Sequence, residues 1–284
     1  MLFTDNDDLV REEREGYLFR AQNDYTSKRL WVFDYRVKDY AAFADHLERH
    51  ARAKGFSKII IPTREADAAE MAAVGFVSEA RAEGFFRGET AYFLARYLRP
   101  ERRESRLLNE ELETLAEIQR QPQKTPGAPD PDFELRPATT ADIPELAALF
   151  GAVFRSYPTP IDDPEYLALA MRLGTLFQVA LKDGRIVGAT AAEADPGQQH
   201  AEMTDCATHP DFRGRGLASH LLAALEKVCV ARSYRCLWSL SRAGSYGMNL
   251  VFHRLGYRHG GILINNAHIG GRFEDLHLWV KYPA

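Results

Sequence analysis

The chain has 284 residues, of which 45% are apolar and 27% are charged. This length is generous for one domain and sufficient for two, and the composition is that of an ordinary globular protein. A formal net charge of −4 gives no reason to expect a nucleic-acid partner, and no apolar run is long enough to span a membrane. The polar, acidic N-terminus and three cysteines without C-x-x-C spacing favour a reduced, cytoplasmic protein that binds no metal.

In chain order, the first half predicts a helix, a buried strand, a short helix and a final strand. The amphipathic pattern KDYAAFADHLERHARAKG leads directly into the apolar run FSKIII. Gly75 and Phe76 follow the second helix, and the aromatic strand GETAYFLARYL closes the unit.

A charged helix and a proline-rich stretch separate the two halves. The sequence ERRESRLLNEELETLAEIQRQ places Leu108, Leu112 and Leu115 on one helix face, which predicts that this face packs against the protein. The stretch QPQKTPGAPDPD has four prolines and is typical of an extended linker. We therefore place the boundary between the halves at residues 100–132.

The second half begins with a short strand at residues 134–136 and a helix that Asp142 or Thr140 caps. A hairpin with an Asp-Gly turn follows. The strand HAEMTDCATHP then leads to an amphipathic helix at residues 217–231, the strand CLWSLSR, a short helix, and the strands ILINN and DLHLWVKY. This order predicts a mixed α/β fold.

The two halves end alike, which suggests an internal repeat. Each has an apolar strand, a short helix, a glycine followed by an aromatic residue, and a last aromatic strand. We infer that residues 30–98 are a partial copy of the second unit; two unrelated strand-helix-strand units are the alternative. The first copy lacks a glycine turn before its long helix. We expect it to be structural, covering an edge or face of the second half or making a homodimer contact.

A glycine-rich turn at residues 213–216 lies between a strand and the helix at residues 217–231. A helix N-terminus offers unpaired N–H groups and a partial positive charge, and glycines let these amides approach a phosphate. The turn therefore predicts an anion site, with a tight turn that holds no ligand as the alternative. Leu-Ala after Gly216 excludes a P-loop, and Ser219 stands where a dinucleotide fingerprint has its third glycine.

The segment RGRGLA resembles the R/Q-x-x-G-x-G/A signature of the GNAT acetyltransferase superfamily, and ELRPATTADIPEL resembles its first strand and helix. The resemblance implies a GNAT-type mixed sheet flanked by helices, preceded by a smaller partial GNAT-like α/β domain. It implies acetyl-CoA as the cosubstrate, with the pyrophosphate on the turn and the pantetheine arm along the preceding strand. The residues implied to bind it are Cys206, Ala207, Thr208, Arg213, Gly214, Arg215, Gly216, Leu217, Ala218 and Ser245.

The predicted division is thus a degenerate GNAT-like domain at 1–99, a helix and linker at 100–132, and a catalytic domain at 133–284. Within the superfamily, EMTDCATHPDFRGRGLA, SRAGSYGMN, GYRHGGILINN and LHLWVKY resemble the beta-lysine N-acetyltransferase family. This resemblance implies acetylation of the side-chain amine of β-lysine to give N6-acetyl-β-lysine, a neutral compatible solute. Acetylation of another small amine or a protein lysine, and a non-catalytic acyl-CoA sensor, stay open as alternatives. The expected partner is a small-molecule amine, without nucleic acid or membrane.

Transfer to an amine requires loss of a proton, because an alkylammonium has a pKa near ~10.4. Glu202, four residues before Cys206, is the predicted base or water-positioning group, and the resemblance implies a glutamate base at this place. Strand alternation puts Glu202, Thr204 and Cys206 on one face. Asp205 then lies on the other face, and Asp205 and Glu193 are the alternative bases.

The predicted site lacks the usual acid. Phe252 stands where many members of the superfamily have a tyrosine, and phenylalanine has no proton to donate to the leaving thiolate. His253 and Tyr246 are near in sequence, although His253 is expected to be an exposed helix residue. Alternatively, the thiolate leaves unassisted. Ser245 stands where many members have asparagine.

An amino acid with two amines requires groups of both charges in its site. Arg242 is predicted to bind the carboxylate, and the adjacent Asn265 and Asn266 are predicted to bind either end of the substrate. The loop carboxylates that could attract ammonium groups are Asp162, Asp163 and Glu165. The predicted substrate-binding set is Tyr157, Glu193, Arg242, Asn265 and Asn266.

Overall fold

The computed structural model describes residues 9–154, 157 and 159–283. The first half contains β1 (Leu9–Arg14), β2 (Tyr17–Asp24), β3 (Arg29–Val37), α1 (Tyr40–Ala53), β4 (Lys58–Arg64), α2 (Glu65–Ala73), β5 (Val77–Gly84) and β6 (Gly88–Tyr97). The linker contains α3 (Leu108–Gln119). The second half contains β7 (Glu134–Pro137), α4 (Ile143–Val153), α5 (Pro164–Arg172), β8 (Leu176–Lys182), β9 (Arg185–Asp195), β10 (His200–Thr208), α6 (Leu217–Ala231), β11 (Cys236–Arg242), α7 (Tyr246–Arg254), β12 (Arg258–Ile269) and β13 (Arg272–Lys281). Across the described ranges, no helix has the length and apolar character needed to cross a membrane.

All the strands belong to one mixed sheet, in the order β1-β2-β3-β4-β6-β5-β12-β13-β11-β10-β9-β8-β7. From the outer edge inward, the strands of the first half lie in the order β1-β2-β3-β4-β6-β5, and those of the second half, after the edge strand β7, lie in the matching order β8-β9-β10-β11-β13-β12. The corresponding pairs β3–β4 and β10–β11 are both parallel. This open sheet, flanked by helices, confirms the predicted α/β class. The sequence predicted no strands at β1 and β2, so the repeated pattern begins earlier than expected. Common descent of the two halves stays a prediction.

The sheet curls so strongly that its two halves face each other. The ring centroids of Phe93 on β6 and Trp238 on β11 lie 5.7 Å apart. A flat sheet would separate these two strands by about 19 Å, because neighbouring strands lie roughly 4.8 Å apart. Residues of both halves form one buried apolar cluster on the inside of the curve, which we call the concave face; it includes Trp31, Phe85, Phe93, Trp238 and Leu278.

The two halves join where β5 crosses β12 at two consecutive glycines. Gly261 is in ladder register with Ala80 of β5. A side-chain carbon on Gly260 would collide with the carbonyl oxygen of Arg81, and one on Gly261 would collide with that of Glu79. Gly261 also has a φ of 145°, in the region that favours glycine. The crossing therefore depends on the absence of side chains at these two positions.

Two groups of elements pack on the concave face of the second half, and they meet at β10. Glu202 of β10 is in register with Glu193 of β9 and with Trp238 of β11, so these three side chains share the concave face. Helices α4 and α5 pack over β8 and β9 on this face, and the first half packs over β11 to β13. Helices α3, α6 and α7 cover the opposite face. The boundary between helices α4 and α5 on one side and the first half on the other therefore lies over the concave face of β10.

The predicted elements of the second half are confirmed to within a few residues, since the helix after the glycine turn is α6 and CLWSLSR is β11. The prediction that Leu112 packs against the protein was wrong, because this side chain is 43% exposed. The buried residues of α3 are instead Glu111, Leu115 and Ile118. Burial and then the neighbouring Asp275 raise the pKa of Glu111 to about 8.

The glycine crossing predicts an unequal effect of two alanine substitutions on β12 and its following turn. Gly271 also has a positive φ, of 88°, but a side-chain carbon there would meet no atom within 4 Å. We expect Gly271→Ala to cost about 1–3 kcal/mol of unfolding free energy from backbone strain alone. Gly261→Ala should cost a further ~1–3 kcal/mol, because it also forces β5 away. Urea unfolding of both variants measures the difference, and equal costs would contradict the proposed close crossing.

Candidate active site

The glycine turn before α6 faces open space. Gly216 is the N-cap residue of α6 with a φ of 73°, and Gly214 has a φ of 78°. A side-chain carbon on Gly214 would meet no atom within 4 Å, and the nearest atom to one on Gly216 would be 3.8 Å away on His220. The N–H groups of the first turn, at Leu217 and Ala218, have no partner inside the helix because they precede its first hydrogen bond. The turn can therefore accept a phosphate group.

Two exposed arginines flank this turn. Arg213 Nε donates a hydrogen bond to the carbonyl oxygen of Thr208 at 3.4 Å. Arg215 lies 3.7 Å from Asp130 of the linker and 5.8 Å from the ring centroid of Phe133. Both arginine charges remain near the surface, where they would attract a polyanion.

An opening between β10 and β11 leads inward from the turn. The two strands pair from His200 to Glu202, and their ladder ends there. Beyond that point the edge of β10 at Cys206, Ala207 and Thr208 has no strand partner in β11. Ser245, at the N-terminus of α7, lies beyond the end of β11, where its N–H donates to the carbonyl oxygen of Arg242 at 2.9 Å. An unpaired strand edge of this kind suits a thin, amide-containing arm such as pantetheine.

A β-bulge in β10 changes the predicted side-chain directions. The register with β9 shifts between Thr204 and Ala207, and Asp205 has a φ of 51°. Cys206 consequently faces α6, where its Sγ lies 3.1 Å from Oγ1 of Thr190. Asp205 faces Tyr157. The expectation that Cys206 shares a face with Glu202 and that Asp205 lies opposite was therefore wrong.

Three carboxyl groups gather on the concave face below this opening. Glu202 lies directly opposite Glu193 on the neighbouring strand, and the negative charge of Glu193 acts on Asp205 as well. The Tyr157 hydroxyl is within hydrogen-bonding reach of Thr204 and Asp205. These predicted residues, from three separate parts of the chain, therefore form one acidic site.

The electrostatics of this site favour a proton near neutral pH. Burial and then the charge of Glu193 raise the pKa of Glu202 to about 8. The same two causes raise the pKa of Asp205 to about 7. Burial and the charges of Glu193 and Asp205 also raise the pKa of Tyr166 on α5. A carboxylate with such a pKa is a stronger base than an ordinary one, and the cluster as a whole attracts a cation.

The two residues considered as proton donors, His253 and Tyr246, contact the linker and not the opening between β10 and β11. Phe252 is buried against Tyr257, with ring centroids 5.1 Å apart. His253 was expected to be exposed, but it is buried, and its Nε2 lies 2.7 Å from the carbonyl oxygen of Gln121. The Tyr246 hydroxyl donates to Glu117 of α3 at 3.2 Å. Neither residue faces the acidic site, because the linker packs on α7 and engages both.

The remaining predicted substrate residues lie away from the three carboxyl groups. The Arg242 side chain is exposed at the end of β11. The side chain of Asn265 donates to the carbonyl oxygens of Arg102 and Glu104 in the linker, at 3.2 and 2.9 Å. Asn266 is fully buried, and neither atom of its side-chain amide has a hydrogen-bond partner in the described part of the chain. The loop carboxylates, all of them exposed, are Asp162, Asp163 and Glu165.

Asn249 is a structural residue of the site that the sequence did not reveal. Its Nδ2 donates to the carbonyl oxygens of Arg242, Ala243 and Ser245, and its Oδ1 accepts from Trp279 at 2.8 Å. This fully buried amide fixes the turn between β11 and α7, and so fixes one wall of the opening. A polar residue on the apolar side of α7 was the available signal.

The chain is similar to known acetyltransferases. A family model described as "Acetyltransferase (GNAT) family" matches residues 144–257. The chain is 36% identical over 259 residues to N-acetyltransferase YodP of Bacillus subtilis, covering 91% of this chain and 94% of that protein. It is 30% identical over 249 residues to a beta-lysine N(6)-acetyltransferase of Methanococcus maripaludis, covering 86% and 89%. A crystal structure of ribosomal-protein-alanine N-acetyltransferase from Brucella melitensis matches with a TM-score of 0.46 and 25% identity, over 53% of this chain and 99% of that chain.

The raised pKa of Glu202 predicts that this residue destabilises the fold at alkaline pH. Its pKa rises from 4.5 to about 8 on folding, so the folded protein holds a proton that the unfolded chain releases. The contribution of this proton to the free energy of unfolding is fully present below the pKa of the unfolded state and is lost as pH rises through the pKa of the folded state. We expect Glu202→Gln to raise the melting temperature more at about pH 9 than at about pH 5.

Glu113→Gln is the matched control, because Glu113 is exposed on α3. It should change the melting temperature little at either pH. If Glu202→Gln shifts the melting temperature equally at both values, the proton is not held at Glu202 in the folded protein.

Proposed function

This chain belongs to the GNAT family of acetyltransferases and is an acetyl-CoA-dependent N-acetyltransferase, and we propose that its acceptor is the side-chain amine of β-lysine. The observation that carries this proposal is the acidic site of Glu193, Glu202 and Asp205. β-Lysine has two ammonium groups and one carboxylate at neutral pH, and a buried group of carboxyls favours a molecule with two ammonium groups and a net positive charge. The name of the relative from Methanococcus maripaludis supports the same acceptor.

The residues around the glycine turn fit acetyl-CoA. The open N-terminus of α6 would hold the pyrophosphate through the amides of residues 215–218, with Arg213 and Arg215 adding positive charge. The unpaired edge of β10 would hold the pantetheine arm through backbone hydrogen bonds. When bound, this cosubstrate supplies an acetyl thioester, whose carbonyl carbon accepts the amine nitrogen.

The acidic site would bind the ammonium group that is to be acetylated and remove its proton. Glu202, in its ionised form, accepts the proton, because its raised pKa makes it a stronger base than an exposed glutamate. The free amine nitrogen then forms a bond to the acetyl carbon while the carbon–sulfur bond breaks, and the sulfur leaves with the electron pair as a thiolate. The second proton of the nitrogen passes to a site carboxylate or to the thiolate, which completes the balance.

The absence of the usual tyrosine fits this scheme. A thiol has a pKa of roughly 8.5, so a thiolate is a tolerable leaving group near neutral pH without a proton donor. Phe252 therefore fills the apolar space beside Tyr257 without removing an essential group. The product has one ammonium and one carboxylate and is neutral overall, which is the property required of a compatible solute.

The proposal predicts both the acceptor and the effect of Glu202→Gln. Purified protein with acetyl-CoA and a panel of β-lysine, α-lysine, ornithine, spermidine and a lysine peptide should release thiol fastest with β-lysine. Mass spectrometry should find one added acetyl group on the side-chain amine. Glu202→Gln should lower kcat by about 10²-fold with a much smaller change in KM, because the carboxylate acts after binding.

Higher pH should restore part of this loss, since more of the free amine is then present. Unchanged kcat would move the base to Asp205 or Glu193, and a raised KM at constant kcat would make Glu202 a binding partner of the ammonium. Thiol release with the peptide alone would favour a protein substrate. If acetyl-CoA binds but no amine of the panel causes thiol release from it, a non-catalytic acyl-CoA sensor is favoured.

The turn predicts a charge-specific loss of acetyl-CoA binding. Gly216→Asp and Gly216→Asn introduce side chains of nearly equal size, and both residues tolerate the positive φ of this position. The aspartate variant should bind acetyl-CoA about 10- to 100-fold more weakly than the asparagine variant, because its carboxylate repels the phosphate. Isothermal titration calorimetry measures this ratio, and equal affinities would exclude the turn as the pyrophosphate site.

The same titration should give one site per chain. The corresponding helix of the first half, α1, begins after Asp39, whose side chain accepts a hydrogen bond from the N–H of Ala42 at 2.9 Å. This carboxylate occupies the helix N-terminus and repels a phosphate there. Two sites per chain would contradict the assignment.

A further inference from the structure

A buried group of charged residues lies where the first half and the linker meet β12. Lys58 Nζ contacts a carboxylate oxygen of Glu79 at 2.8 Å and donates to the carbonyl oxygen of Ile264 at the same distance. Arg102 of the linker donates to the carbonyl oxygens of Ser27 and Asn266, at 2.6 and 3.4 Å. Within the residues that the structure describes, Lys58 Nζ and both Nη atoms of Arg102 thus have partners, whereas Nε of Arg102 is buried without one.

Arg29, the first residue of β3, is the third cation of this group, and it keeps a free donor. Its side chain is 6% exposed, and its Nε pairs with Asp24 at 2.8 Å. Its guanidinium lies 4.8 Å from the ring centroid of Trp31. Nη1 of Arg29 is buried and has no hydrogen-bond partner among the residues 9–154, 157 and 159–283. A buried guanidinium N–H without an acceptor is destabilising, so this position favours an anion or polar oxygen.

The fold places Arg29 on the concave face, over the second half. Arg29 and Trp31 alternate onto the same side of β3, and Trp31 belongs to the concave face. The loop before β3 contacts β12, since the N–H of His268 donates to Oγ of Ser27 at 3.3 Å. The positive charge of Arg29 also reaches Glu202, whose pKa it lowers against the larger, raising effect of burial. Arg29 and the acidic site therefore lie on the same concave face, one in each half, and close enough for the charge of Arg29 to act on Glu202.

We propose that Arg29 of the first half binds the carboxylate of the acceptor while the acidic site of the second half binds its side-chain amine. This proposal rests on the proposed function and adds a specificity residue to it. The free Nη1–H supplies a charge-assisted hydrogen bond to a carboxylate oxygen, which is the strongest match for a guanidinium. Asp24 holds Nε, so that the guanidinium is already oriented when the substrate arrives.

The arrangement gives the site opposite charges at its two ends. A diamino acid matches both ends, whereas a polyamine without a carboxylate leaves the Arg29 donor unpaired in a buried place. Sites that hydrogen-bond a substrate group discriminate strongly against analogues that lack it, because the protein group then stays unpaired. Arg242 is exposed, so the proposal assigns the substrate carboxylate to the buried Arg29 in place of Arg242.

The decisive experiment compares β-lysine with its carboxamide, which has the same size and both amines but no negative charge. The wild-type enzyme should have a KM about 10²-fold lower for β-lysine than for the amide. Arg29→Gln should raise the KM for β-lysine by about the same factor, with KM for the amide nearly unchanged and kcat for both retained. Arg29→Lys keeps the charge but has a single donor nitrogen in place of the planar guanidinium, and its KM for β-lysine should fall between those of the wild type and Arg29→Gln.

Arg102→Gln is the matched control, since Arg102 is a buried arginine of the same group whose Nη atoms are already bonded within the protein. Any loss that it causes through weakened packing should be equal for the acid and the amide. Thermal melting checks that each variant folds. If Arg29→Gln does not fold, Arg29→Lys still tests the proposal through the ratio of the two KM values.

Three outcomes would overturn the proposal, and they differ from failure of the proposed function. A wild-type enzyme that uses the acid and the amide equally well refutes the role of Arg29 even if β-lysine is acetylated. An equal loss for both substrates in Arg29→Gln reduces Arg29 to packing. If another diamino acid is the acceptor, the same comparison is made with that acid and its amide. If no amine is acetylated, calorimetry of β-lysine and its amide in the presence of CoA decides, and equal affinities refute the proposal.

Discussion

The close crossing of β5 over β12 is the constraint on which the rest of this structure depends. Two glycines without side chains let the strand edges of the halves approach, so that two units of similar topology continue as one sheet. The sheet then curls, and burial of the aromatic rings of Phe93 and Trp238 stabilises the curled form. Curvature in turn encloses the concave face of β10. Without this enclosure Glu202 would lie in water, and neither its raised pKa nor a buried arginine opposite it would follow.

Burial of like charges is costly, and the cost is connected to the proposed chemistry. Glu193, Glu202 and Asp205 would repel one another if all were ionised in a space of low dielectric, so the site retains protons near neutral pH. An incoming ammonium group relieves this repulsion and also delivers the proton that must be removed. The same physical effect that destabilises the free protein thus favours substrate binding and supplies a base. The apolar clusters on both faces of the sheet provide the stability that such a site requires.

Local signals in the sequence were sufficient for much of the second half, because they act over a few residues. The N-terminus of α6 and the hairpin of β8 and β9 follow from glycine positions and apolar periodicity, and both are confirmed. The bulge at Asp205 was not predicted, since alternation assumes a regular strand, and it reversed the faces of Asp205 and Cys206. The burial of Arg29 was also beyond prediction. Its direct partners Asp24 and Trp31 are near in sequence, but the neighbouring Ser27 contacts β12 more than two hundred positions away, and such contacts depend on the curvature of the whole sheet.

The two halves differ at corresponding helix N-termini, and this difference explains a division of roles. In the second half Gly216 leaves the first turn of α6 open, whereas in the first half Asp39 caps α1 with its own carboxylate. A capped helix is stabilised locally by about 1 kcal/mol and gives up anion binding. A half whose helix N-terminus is closed to phosphate can present its concave face to its neighbour instead. In our proposal, Arg29 on this face supplies the cation that meets the carboxylate of the acceptor. With the proposed role of Arg29, the first half forms part of the acceptor site, and specificity for an amino acid arises between the halves.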